Sequence, residues 1–265
     1  MSNNQMGVVP TQKSPEKQAV IETTTNKFTY INGFTLKLIA LLTMTIDHTA
    51  AALPVPALWY IPMRLIGRLA FPIYCFLLIQ GYFHTRSVGR YLSRLLIAFF
   101  VAELPFDAAL LFKVPDWGHL NVLLTLAIGL VTVYLVDHSR AWVEQLVKSS
   151  SFHRPLTDLL CLLFSLADVC LAQFCRTDYA GGGVLLILLF YFFRSKPRIL
   201  CLTVALLFFF WFGWVELFGI VALIPITFYN GKRGPAFGGK WGKWFFYLYY
   251  ALHLAMLAGM QAVLW

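Results

Sequence analysis

Nine apolar runs divide this chain, at roughly 35–53, 62–83, 91–111, 119–137, 156–175, 179–193, 198–212, 215–229 and 244–264. A membrane-crossing helix needs about 20 mainly apolar residues, and the sixth to eighth runs sit near the short limit. The links between runs alternate in charge. One set, together with the tail, carries Lys13, Lys17, Lys27, Arg86, Arg90, Arg94, Arg140, Lys148, Arg154, Arg194, Lys196, Arg198, Lys232, Arg233, Lys240 and Lys243. The opposite set holds only Arg64, Arg68, Lys113 and Arg176. Basic loops mark the cytoplasmic side, and a single miscounted helix would scramble the alternation. The pattern therefore predicts an all-α, polytopic membrane helix bundle of about nine transmembrane helices. It places the N-terminus in the cytoplasm and the C-terminus outside.

Composition agrees. The chain has 265 residues, 59% of them hydrophobic and 12% charged, with a mean hydropathy of +0.71. A soluble domain of this size has no place to hide so much apolar surface, so the bilayer is its natural solvent. The net charge of +9 reads first as loop charge facing lipid headgroups; no basic and aromatic residues interleave outside the apolar runs, and nucleic acid is not an expected partner. Residues 1–33 are polar, have no apolar core of a signal peptide, and read as a disordered cytoplasmic tail. Residues 34–265 then form one transmembrane domain, with presumed catalytic helices over 34–137 and supporting helices over 156–265. Cys75, Cys161, Cys170, Cys175 and Cys201 all fall in apolar runs without zinc-type spacing to histidine, so buried thiols and no metal site are expected. No internal repeat is visible, which counts against an inverted-repeat transporter. The glycines of "NGKRGPAFGGKWGK" do not follow a strand, so a dinucleotide or phosphate loop is a poor reading.

The ionisable residues inside the runs carry the functional signal, because charge in hydrocarbon is expensive. In "LLTMTIDHTAAALP" Asp47 and His48 lie about 17 Å along the first helix, just past the midplane. Arg64 and Arg68 share one helix face at i,i+4, and so do Glu103 and Asp107. Asp47, His48, Arg68 and Glu103 fall at about one depth. His119 and Asn121 enter the fourth run from the same side, towards which Asp168, Asp178 and Glu216 also lie. A structural ion-pair network is the plain reading of the arginines and acids. It gives no reason for an imidazole, and a membrane histidine beside a carboxylate suits proton transfer near neutral pH. Asp47 points about 100° away from His48 and suits the role of orienter or Arg68 partner. At the opposite end, "QGYFHTRSVGRYLSR" sets Gln80 and His84 at i,i+4. Arg86, Arg90 and Arg94 follow at i,i+4,i+8, one basic stripe if helical. Ordinary loop charge explains each arginine singly; together they suit a polyphosphate such as that of coenzyme A, with "RSKPR" adding to it.

Four segments, "LKLIALLTMTIDHTAAAL", "RLIGRLAFPIYCFLLIQGYFHTR", "YLSRLLIAFFVAELPFD" and "NVLLTLAIGL", carry an ordered set of motifs. These are a DH pair, R-x3-R followed by A-F-P, E-x-P-F-D, and N-V. The set resembles the TraX family over about residues 33–130, while beyond about 140 the likeness is only hydropathy. Ala50 stands where the family has a glycine soon after the DH pair. The resemblance implies a bacterial inner-membrane acyltransferase, after the conjugation-linked member that acetylates the N-terminus of pilin. Carried over residue by residue, it implicates Asp47, His48, Arg64, Arg68, Glu103, Asp107 and Asn121. The expected chemistry is acetyl transfer from cytosolic acetyl-CoA to a peptide, lipid or glycan acceptor at the membrane. His48, Asp47, Arg68 and Glu103 are the expected catalytic group, with His48 as base and Arg68 as oxyanion partner. Glu103 and Asp107 are expected to hold Arg64 and Arg68 or to bind a cationic acceptor. Gln80, His84, Arg86, Arg90 and Arg94 are expected at the coenzyme, and Arg64, Asp107, His119 and Asn121 at the acceptor. The alternative is a proton-coupled permease using the same His, Arg and acid cluster as a relay.

Overall fold

A computed structural model describes residues 29–147, 150–235 and 242–264. Most of the expected tail, residues 1–28, lies outside the described residues, as do Lys148 and Lys240. Among the described residues there are no strands, only isolated bridges at Ile31–Tyr229 and Leu120–Thr177.

Among the described residues, ten α-helices follow the apolar runs. They are α1 (Gly33–Ala52), α2 (Ala57–Gly67), α3 (Ala70–His84), α4 (Val88–Phe106), α5 (Val122–Leu146), α6 (His153–Phe174), α7 (Ala180–Phe192), α8 (Pro197–Leu207), α9 (Leu223–Thr227) and α10 (Gly242–Leu264). Five-residue π turns extend α4 over Asp107–Leu111 and α8 over Phe208–Phe212, and a 3-10 segment, Glu216–Ala222, leads into α9. Local chemistry fixes several starts. The side chains of Asn32, Ser87 and Asn121 each accept a hydrogen bond from a backbone N–H of the first turn, at 3.0, 3.3 and 3.0 Å, which satisfies donors that a helix start leaves unpaired.

Four helical stretches are long and apolar enough to cross a membrane: Ala57–His84, Val122–Leu146, His153–Phe174 and Trp244–Leu264. Three shorter apolar stretches are Ala180–Phe192, Pro197–Phe212 and Glu216–Thr227. Leu159, Leu162, Leu163, Leu166 and Leu171 of α6 are all exposed, as are Leu42 of α1 and Ile97, Phe100 and Leu104 of α4. So much bare hydrocarbon requires lipid: the chain is a membrane protein. α7 is the exception that proves useful. It has 13 residues, about 20 Å of helix, and is buried on every side from Gly181 to Leu188 apart from the half-buried Leu185. A helix apolar all round and enclosed by others needs no lipid of its own, and it forms the centre of the bundle.

Two differences from the expected runs shape the site. The second run breaks at Arg68–Leu69 into α2 and α3. The break follows Gly67, whose bare Cα lets α2 close directly onto Asp47 of α1. The expected basic stripe also shortens, because Arg86 precedes the Ser87 cap and only Arg90 and Arg94 lie on α4. α1 and α10 run parallel. Lys37 lies over the Phe246 ring at 5.2 Å, Thr45 meets Tyr249 at 2.9 Å, and the Gln261 amide donates to the Ala52 carbonyl at 2.6 Å.

Candidate functional site

A cavity of about 220 Å³ opens among α1, α2, α3, the C-terminal end of α4, the start of α5, the turn before α7 and α10. Its walls include Asp47, His48, Arg64, Arg68, Tyr74, His119, Asp178, Tyr179 and Tyr250. Asp47 stands at the centre of an ion-pair network. Arg64 Nη1 reaches its Oδ1 at 3.0 Å, and Arg68 Nη2 donates to both oxygens at 2.6 Å. Arg68 also donates through Nε to the Arg64 carbonyl at 3.1 Å and through Nη1 to Glu216. Arg68 is thus nearly saturated and only 9% of its side chain is exposed, whereas Arg64 makes one ion pair and is 28% exposed. Two cations and two anions close the charge balance, which is what makes such burial tolerable.

His48 faces away from Asp47 and meets a second imidazole. Its Nδ1 lies 2.7 Å from His253 Nε2, and the two rings lie edge to edge and nearly coplanar, with centroids 5.0 Å apart. His253 Nδ1 in turn lies 2.9 Å from the Tyr249 carbonyl. Tyr250 packs edge-on to His48 at 6.1 Å.

The opposite wall is held by a short pairing of loops. Leu120 donates to the Arg176 carbonyl at 3.1 Å, and Asp178 donates back to the Leu120 carbonyl at 2.8 Å. The Thr125 hydroxyl adds contacts to Thr177, at 2.9 Å, and to the Asp178 carbonyl. This sets Asp178 4.0 Å from His119 and Tyr179 flat against Phe71, with ring centroids 3.8 Å apart. Arg176, Tyr179 and Ala180 adopt positive φ of 49°, 61° and 42°. Each such residue costs about 1–3 kcal/mol and persists only where its surroundings enforce it; here the enforced segment is a wall of the cavity.

The expected site residues divide into three groups. Asp47, His48, Arg64, Arg68 and His119 share the cavity. Glu103, Asp107 and Asn121 are buried behind it. Glu103 Oε2 accepts from the Asn121 backbone at 3.2 Å and from its amide, and Asp107 Oδ2 accepts from the Asp116 N–H at 2.8 Å. The arginines are therefore held by Asp47 and Glu216, rather than by the expected Glu103 and Asp107. Equal spacing shows which residues share a face but not which helix that face meets, and the 3-10 segment brings in Glu216. Gln80, His84, Arg86, Arg90 and Arg94 lie at the far end. His84 Nδ1 donates to the Gln80 carbonyl at 2.7 Å, Arg94 lies over the Tyr91 ring at 5.5 Å, and Arg86 and Arg90 are exposed. From Gly67 to His84 is about 25 Å of helix, and none of these five lines the cavity. Among residues that sequence reasoning missed, His253 stands out. It is a lone imidazole in an apolar run, the signal that pointed to His48.

The family model for TraX protein matches residues 32–261. The chain belongs to the TraX family. The family match runs well past residue 130, where the motif resemblance faded, and so takes in Glu216 and His253. A similar protein is the "Probable fimbrial assembly protein FimC, serogroup H1" of Dichelobacter nodosus, 28% identical over 255 residues, covering 88% of this chain and 97% of that protein. No solved structure matches.

Proposed function

We propose that this chain is a membrane-embedded acyltransferase. It moves an acetyl group from cytosolic acetyl-CoA to an amine or hydroxyl at the inner membrane of a bacterium, with nine crossings, the N-terminus inside and the C-terminus outside. The observation that carries the reading is the joint presence of the His48 imidazole and the Arg64 guanidinium on one cavity. His48 takes the proton of the acceptor amine or hydroxyl as its lone pair attacks the thioester carbonyl. The carbonyl electrons move onto oxygen, where a guanidinium stabilises them. Arg64 suits this better than Arg68, because it keeps unused donors while Arg68 is committed to Asp47, Glu216 and the Arg64 carbonyl. Collapse expels the coenzyme A thiolate, which takes the proton back from His48. The family and the fimbrial-assembly relative favour a pilin-like peptide as acceptor over a lipid or glycan. The coenzyme's phosphates would rest at the basic end on Arg90 and Arg94, flanked by Gln80, His84 and Arg86.

The test is incubation of membranes containing the protein with labelled acetyl-CoA, followed by identification of the labelled molecule. His48→Ala protein that keeps its fold should lose at least about 100-fold in transfer rate, the scale of a general base. Transfer at the original rate would remove His48 from the chemistry. A proton-coupled permease would give neither label transfer nor thermal stabilisation by acetyl-CoA.

A further inference from the structure

The two imidazoles and the carbonyl beneath them form a directional chain. A carbonyl oxygen only accepts hydrogen bonds, so His253 Nδ1, 2.9 Å from the Tyr249 oxygen, must carry a proton. The neutral ring then has a bare lone pair on Nε2. His48 Nδ1, 2.7 Å away, can bond to that lone pair only by donating. His48 in its neutral form therefore has its lone pair on Nε2. We infer that His253 is a positioning residue: it fixes His48 as the Nδ1–H tautomer and leaves Nε2 as the nitrogen offered to the cavity.

The surroundings support the direction. His48 is a wall of the cavity and His253 is not, so the chain runs from the cavity into the protein. Only 5% of His253 is exposed, and its Nε2 has His48 Nδ1 at 2.7 Å. The near-coplanar edge-to-edge arrangement of the two rings, tilted by 8°, and the contacts of Tyr250 with both, edge-on to His48 and tilted to His253, restrict their rotation. A ring orienting another ring through a single hydrogen bond resembles how an outer group fixes the tautomer of a metal-bound or catalytic histidine. The inference extends the proposed base role of His48, but the tautomer itself can be measured without any turnover.

The experiment uses the full-length protein in bilayers, labelled with ¹⁵N at histidine. Proton–nitrogen correlations report which ring nitrogen carries hydrogen, and His48→Gln assigns the signals. The expected result is Nδ1–H on both His48 and His253. In His253→Leu, His48 should shift towards the Nε2–H form that free imidazole side chains favour. In His253→Gln the amide oxygen can accept from His48 Nδ1, and the Nδ1–H form should remain. In the label-transfer assay, kcat should fall about 10–100-fold for His253→Leu with the acceptor KM unchanged, and return to within a few-fold for His253→Gln. Wild-type His48 found as Nε2–H, or unmoved by His253→Leu, overturns the inference. Observed tautomers as expected with no label transfer from any variant would overturn the acyltransferase reading and leave the histidine chain standing.

Discussion

Gly67→Ala is the sharpest probe of how the site is assembled. A methyl on this residue would overlap Asp47 Cβ and Cγ and come within 2.5 Å of Oδ1. Cβ and Cγ sit close to the α1 backbone and have little room to swing aside. Carbon contacts settle near 3.5–4.0 Å, so α2 and α1 must part by about 1.5 Å. The Arg68 bonds to Asp47, 2.6 Å in the native structure, then stretch to about 4 Å, beyond hydrogen-bond range. Overpacking costs about 1–3 kcal/mol, and a buried ion pair broken on one side costs about 3–5 kcal/mol. With partial relaxation, a net loss on the order of 4 kcal/mol is expected, which for a chain of this size lowers Tm by roughly 8–16 °C. Thermal unfolding in detergent, followed by circular dichroism, measures it. Gly89→Ala is the control. It lies in the first turn of α4, and an added methyl there meets nothing within 4 Å, so its Tm should stay level or rise. Unchanged Tm in Gly67→Ala would refute the close approach of α2 to Asp47.

Two further outcomes test the supports around the cavity. Arg68→Lys should destabilise by about 3 kcal/mol, because one ammonium cannot serve Asp47, Glu216 and the Arg64 carbonyl together; denaturant or thermal midpoints check it, and a midpoint equal to the parent's would rule out the three-way bond. Asn121→Asp keeps the cap on Leu123 but turns a donor to Glu103 and to the Phe99 carbonyl, 3.2 Å away, into an acceptor. It should fall below Asn121→Ala in stability by about 1–3 kcal/mol, and the reverse order would show that Asn121 does not donate to Glu103.

The bundle was legible in the sequence where lipid is the solvent. Apolar runs depend only on composition and spacing, and each run is helical. What the runs could not show was depth of burial. α7 looked like a marginal crossing, and the run gave no sign that other helices enclose it at the centre of the bundle, because hydropathy measures apolarity without telling lipid from protein. The break between α2 and α3 was hidden for a similar reason, since it follows from a backbone approach at Gly67 that only the neighbouring helix creates. In the site, Asp47, His48, Arg64 and Arg68 announced themselves as charge in hydrocarbon. Their partners did not: Glu216 stands 148 residues from Arg68, and helical spacing contains no information about which distant element fills a facing position. His253 was visible by the same criterion as His48, but its meaning rests on a ring-to-ring contact that no one-dimensional pattern encodes.

The pairing of His48 with His253 joins α1 to α10 across 205 residues of chain. The ribosome must therefore make every residue from α1 to α10 before the first imidazole can meet the second. A product interrupted short of α10 would carry the DH pair and the arginines into the bilayer and still lack the second ring, so the histidine contact waits on synthesis of α10.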